Sequence, residues 1–95
     1  MKWFAWSEEK NEWLRRERDV SFEQVVAAVE QCDLLDVLEH PNPDRYPGQR
    51  VLVVRIETYA YAVPFVEADD HVFLKTIIPS RRLTRRYLPQ ESRDA

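Results

Sequence analysis

Glycine is almost missing from this chain, with Gly48 the only one in 95 residues. Few positions can therefore take positive φ freely. That excludes a glycine-rich, phosphate-cradling loop and the nucleotide folds built on one. Cysteine is as scarce. Cys32 has no second thiol to pair with, so an internal disulfide is excluded and a reducing compartment is expected. No apolar run approaches membrane-spanning length and the N-terminus lacks a signal-peptide core, so a cytoplasmic protein with no membrane partner is expected. Neither Cys32 nor the two histidines, His40 and His71, have companions at ligand spacing, so no metal and no cofactor are expected. There is no Ser/His/Asp signature, no repeat and no low-complexity segment.

What the chain does have is an uneven distribution of charge. Residues 1–70 carry eight Lys/Arg against fifteen Asp/Glu, a balance of −7, whereas residues 71–95 carry six against two, a balance of +4. The segment from Pro79 to Leu88 holds Arg81, Arg82, Arg85 and Arg86 and no acid. A local cationic patch on an anionic body suits the capture of an anion at one place, either a phosphate or an acidic partner protein.

Residues 1–95 read as one domain with a frayed tail over 89–95. Lys2 to Trp6 is a short aromatic strand. Ser7 begins a helix with Glu8 and Glu9 in its first turn, anchored by Trp13 and Leu14. Ser21 and Gln24 form a capping box for a second helix, whose face Phe22, Val25, Val26, Val29 and Cys32 is expected to be buried. Leu34 to Glu39 is a strand, and His40 to Gly48, with three prolines, is an ordered loop. Strands follow over Arg50 to Glu57, Tyr59 to Glu67 and His71 to Ile78, with Glu57-Thr58 and Ala68-Asp69-Asp70 as tight connections. Pro64 cannot donate to a ladder, so a bulge or a sheet edge is expected there. Ser80 caps a last short helix ended by Pro89. The order β-α-α-β-β-β-β-α predicts an α+β fold, with helices packed on one face of the sheet.

On a helical wheel the four arginines occupy one arc, opposite Leu83 and Tyr87. That arc is either an anion clamp or a solvated face that docks an acidic partner. In the last strand Lys75 shares a face with Phe73 and Ile77, and points either into a cleft or to the sheet rim. His40, where a strand enters the proline-rich loop, is the preferred proton-transfer group. His71 lies at the far end of the strand leading to the arginines, and Glu57 and Tyr87 are lesser candidates. Tyr46 is placed to stack a base. Tyr59 and Tyr61 share a face with Val63 and Phe65 and are assigned to packing, as are Trp3, Phe4, Trp6 and Trp13.

Several of these residues resemble the BrnT-type toxins of bacterial toxin–antitoxin pairs, within the RelE/ParE superfamily. Trp6, Lys10, Val20, Phe22 and Glu23 match the family's N-terminal pattern. Ile77 to Thr84 is similar to its run from the last strand into a charged helix, matching at Arg81 and Thr84. The family has His-Gly where this chain has Arg18-Asp19, and a Glu where it has Tyr87. The resemblance implies a RelE-like fold, with two N-terminal helices on a mostly antiparallel sheet of four to five strands and a short basic C-terminal helix. It implies a metal-independent endoribonuclease that cleaves single-stranded mRNA, is silenced by a cognate antitoxin, and meets DNA only through that antitoxin. In that setting Arg81, Arg85, His40 and Lys75 are the expected catalytic residues, and Arg82, Arg86 and Tyr46 the expected RNA contacts. The alternative is a non-catalytic protein-binding module on the same fold.

Overall fold

A computed structural model describes residues 2–92. The chain runs β1 (Trp3–Ala5), α1 (Glu8–Arg18), α2 (Phe22–Glu30), β2 (Leu34–Glu39), β3 (Gln49–Ile56), β4 (Tyr59–Glu67), β5 (His71–Leu74), β6 (Ile78–Pro79), α3 (Arg81–Tyr87) and α4 (Pro89–Ser92). It is an α+β fold on a mixed sheet of order β1-β5-β4-β3-β2, with β6 also pairing with β4. Only the β1–β5 pairing is parallel among the described strands. In the segment expected to fray, Pro89–Ser92 forms a helical turn. The rest of the expected tail, residues 93–95, lies outside the described residues.

Local chemistry sets the helix starts. Ser7 Oγ accepts from Lys10 N–H, and Asp19, at φ 57°, ends α1 in the left-handed conformation. The capping box at Ser21 and Gln24 is complete. Between the two helices sits Asn11, fully buried and polar. Its Oδ1 accepts from Phe22 N–H at 2.8 Å and its Nδ2 donates to Glu23 Oε1 at 2.8 Å. Every hydrogen-bonding group it buries is thus answered, as a buried amide requires. Cys32 does not join the buried face of α2. The helix stops at Glu30, and Cys32, at φ 64°, is exposed.

Helices cover both faces of the sheet, not one. Leu14, Val20, Phe22, Val25 and Ala28 from α1, α2 and their connection pack with Leu52, Val54, Ile56, Val63, Phe65, Leu74 and Ile77. On the other face Val53 and Ala60 pack with Leu83 and Leu88 of the α3 segment. Strand alternation explains the split: Val51 and Val53 point one way, Leu52 and Val54 the other. Phe4, Trp6 and Trp13 pack against the first core, but Trp3 is 56% exposed. Trp3 stacks on His71 at the β1 edge, ring centroids 4.7 Å apart.

Pro64 lies in a central strand, flanked on both sides, and no edge forms there. The neighbouring strand breaks instead. The Pro64 carbonyl accepts from Lys75 N–H at 2.8 Å, so its missing N–H falls on the same side. Opposite it the chain leaves the ladder after Leu74 and returns only at Ile78, paired with Ala62. This break shifts the expected alternation. Leu74 and Ile77 share one core, while Lys75 is exposed. Arg18 donates to the Ile77 carbonyl at 2.6 Å and braces the interruption.

The last helix is fixed by Thr84, 3% exposed. Its Oγ1 donates to Ser80 O at 2.7 Å and accepts from Ala60 N–H at 2.9 Å, joining α3 to the start of β4. Thr84→Val keeps the shape but strands the Ala60 N–H. The expected loss is about 1–3 kcal/mol, read as a lower denaturation midpoint, with Thr84→Ser closer to the parent. The β3–β4 turn holds Glu57 at φ 58°. Glu57→Gly relieves that backbone and should stabilise by about 0.4–1 kcal/mol, raising the thermal midpoint by several degrees.

Candidate functional site

The break opposite Pro64 and the docking of α3 leave a cavity of about 310 Å³ between them. Its walls are apolar. Val51 and Pro64 come from the sheet, Leu83 from α3, and Pro41, Ile78 and Pro79 from the flanking segments. Its polar lining comes from Glu39 and His40 at the end of β2 and from Ser80 and Arg82 at the start of α3. Segments about forty residues apart in sequence therefore meet here.

Asn42 organises the His40 side. Its N–H donates to His40 Nδ1 at 3.0 Å, its Oδ1 accepts from Arg45 N–H at 3.3 Å, and its carbonyl accepts from Tyr46 N–H at 3.1 Å. These bonds fold the loop so that the Tyr46 ring lies on the His40 ring, centroids 4.4 Å apart and planes 34° apart. Arg45 covers Tyr46 with its guanidinium 5.7 Å from the ring centroid. Gly48, at φ 76°, lets the loop re-enter β3.

On the α3 side Ser80 Oγ accepts from Leu83 N–H at 3.1 Å. That donor is already satisfied, and a seven-residue helix offers little dipole to an incoming phosphate. The anion affinity expected at this helix start therefore falls to its guanidinium groups. Among the described residues Arg81, Arg82 and Arg85 have no ion-pair partner.

Of the expected site residues, the structure brings His40 and Arg82 to one cavity and sets the Tyr46 ring at a tilt against His40. Arg81, Arg85 and Arg86 are exposed and outside its lining, as is Lys75. The reason is angular. Leu83 and Thr84 must face the sheet, so the arginine arc spreads over the opposite side and only Arg82 borders the hollow. Arg86 instead lies over Tyr87, 5.4 Å from the ring centroid. His71 lies in β5 beside the edge strand β1, bonded to Asp70 at 2.8 Å. Glu57 sits in the β3–β4 turn. The sequence reading missed Asn42 as the organiser of the loop. Its position between two prolines, two residues after a histidine, was the available signal.

Tyr87 does not reach the cavity. Its hydroxyl donates to Asp36 Oδ2 at 2.6 Å, tying α3 to the edge strand β2. This bond, with the Val37 N–H, holds the Asp36 carboxyl below its ordinary value. The same bond raises the Tyr87 phenol. Asp36 thus contributes stability that is lost as pH falls below about 3.9, and Tyr87 contributes stability that is lost as pH rises above about 10. Tyr87→Phe should lower the thermal midpoint between those limits, and the difference from the parent should shrink beyond either one. Melting curves across pH check this.

No family model matches the chain, and neither a curated protein nor a solved structure matches it. Among the described residues no helix is long and apolar enough to cross a membrane. Nor do three or more His, Cys, Asp or Glu among them gather as a metal site.

Proposed function

We propose that this protein is a BrnT-type toxin of RelE-like fold. It is a cytoplasmic endoribonuclease that cleaves single-stranded mRNA and is neutralised by a cognate antitoxin. The observation that carries this reading is the meeting of His40 and Arg82 on one apolar-walled cavity, with Tyr46 tilted against the His40 ring. The guanidinium of Arg82 holds the scissile phosphate, and its charge acts most strongly against the low-dielectric walls. The cavity accepts a neighbouring base, and Tyr46 adds a stacking surface. The 2′-oxygen forms the new bond to phosphorus as the P–O5′ bond breaks. The proton lost by the 2′-hydroxyl is matched by one gained at the 5′-oxygen. The products are a cyclic phosphate and a 5′-hydroxyl. Arg81, Arg85 and Arg86 steer the strand from outside, while the acidic body repels it elsewhere.

A protein-binding module is the second reading, favoured by the apolar walls, of which Ile78 is exposed. There Arg82 docks an acidic side chain of the partner.

Arg82→Ala separates the two. Under the toxin reading it lowers RNA cleavage by about a hundredfold. It also reduces the log–log salt slope of RNA binding by about 0.7, relieves growth arrest on induction, and leaves antitoxin affinity nearly unchanged. Loss of partner binding with no RNA cleavage by the parent protein would establish the module instead.

A further inference from the structure

We propose that His40 acts on the substrate phosphate as a hydrogen-bond donor through Nε2, paired with the Arg82 guanidinium, and does not shuttle protons. The proposal rests on the nuclease reading above and assigns the role of one residue within it. The decisive contact is the bond from Asn42 N–H to His40 Nδ1, 3.0 Å long. A backbone N–H can only donate, so Nδ1 must present its lone pair. The ring proton of that tautomer is then on Nε2.

The surroundings hold this arrangement in place. Asn42 is fixed through its Oδ1 and its carbonyl by Arg45 and Tyr46 N–H groups. Tyr46 packs on the ring and limits its rotation. To take or give a proton at Nε2 the ring must carry a proton on Nδ1. Here Nδ1 is committed to a donor that cannot reverse. What remains is the Nε2–H of a ring that lines, together with Arg82, a cavity whose walls are mostly apolar. Two such donors suit the non-bridging oxygens of a phosphodiester, whose charge grows as the 2′-oxygen attacks. No covalent step is assigned to His40.

The test pairs two substitutions with a spectroscopic readout. His40→Gln retains an N–H donor but cannot relay protons, and His40→Ala has neither property. With single-stranded RNA as substrate, the proposal expects His40→Gln to stay within about tenfold of the parent while His40→Ala falls about a hundredfold. Equal loss in both variants, with unchanged melting temperatures, would overturn it. Long-range ¹H–¹⁵N spectra of the histidine-labelled protein should show Nδ1 unprotonated and Nε2 protonated. The Nε2 proton should shift when RNA blocked by a 2′-deoxy linkage is added. A protonated Nδ1 in the neutral ring, or no shift on saturation with the blocked RNA, would also refute the assignment. If the parent protein cleaves no RNA, the nuclease reading fails, and the spectra with blocked RNA still decide whether His40 and Arg82 take a phosphodiester.

Discussion

A single absent hydrogen-bond donor arranges much of this molecule. Pro64 occupies a central strand and has no N–H to give its neighbour. The neighbouring strand cannot continue past it as a ladder, so β5 ends, three residues loop out, and β6 resumes opposite Ala62. The interruption lets the chain leave the sheet at Ser80 and lay α3 on the face that α1 and α2 do not cover. The cavity is the space left between that proline, the displaced β6 and α3. A proline that reads at first as a defect in a strand is thus a wall of the candidate site and the cause of its shape.

The second constraint is polar satisfaction in a small protein. A domain of this size buries limited apolar area, and an unanswered buried N–H would consume a large part of its net stability. Two side chains meet that demand at the joints. Asn11 answers the start of α2, and Thr84 answers the start of β4. Both lie where elements from different layers meet, and both replace a backbone partner that the local chain does not supply.

Much of the fold was legible because its signals are local. The capping box, the bounds of β2 and β4, and the loop set by three prolines and Gly48 follow from nearby residues. Local patterning could not reveal what neighbouring strands impose. His71 to Ile78 reads as one strand because the reason for its break lies some ten residues earlier, in Pro64. Cys32 fits the helical period but falls after the helix has ended in a left-handed turn. For the site, His40 and Arg82 were both identifiable as chemistry-bearing residues, and Tyr46 as a stacking group. Which of four arginines borders the cavity depends on how Leu83 and Thr84 seat the helix, which a wheel drawn from sequence leaves undetermined.

The parallel pairing of β1 with β5 bears on how the chain assembles. Trp3 stands beside His71, so β1 is completed only after the intervening helices and strands have followed it. The helices and the β3–β4 hairpin form from short-range contacts, whereas seating β1 closes a long loop whose entropy opposes it until β5 is in place. That edge of the sheet is therefore the late step of folding, and an aromatic, unpaired segment waits exposed while the rest of the domain takes shape.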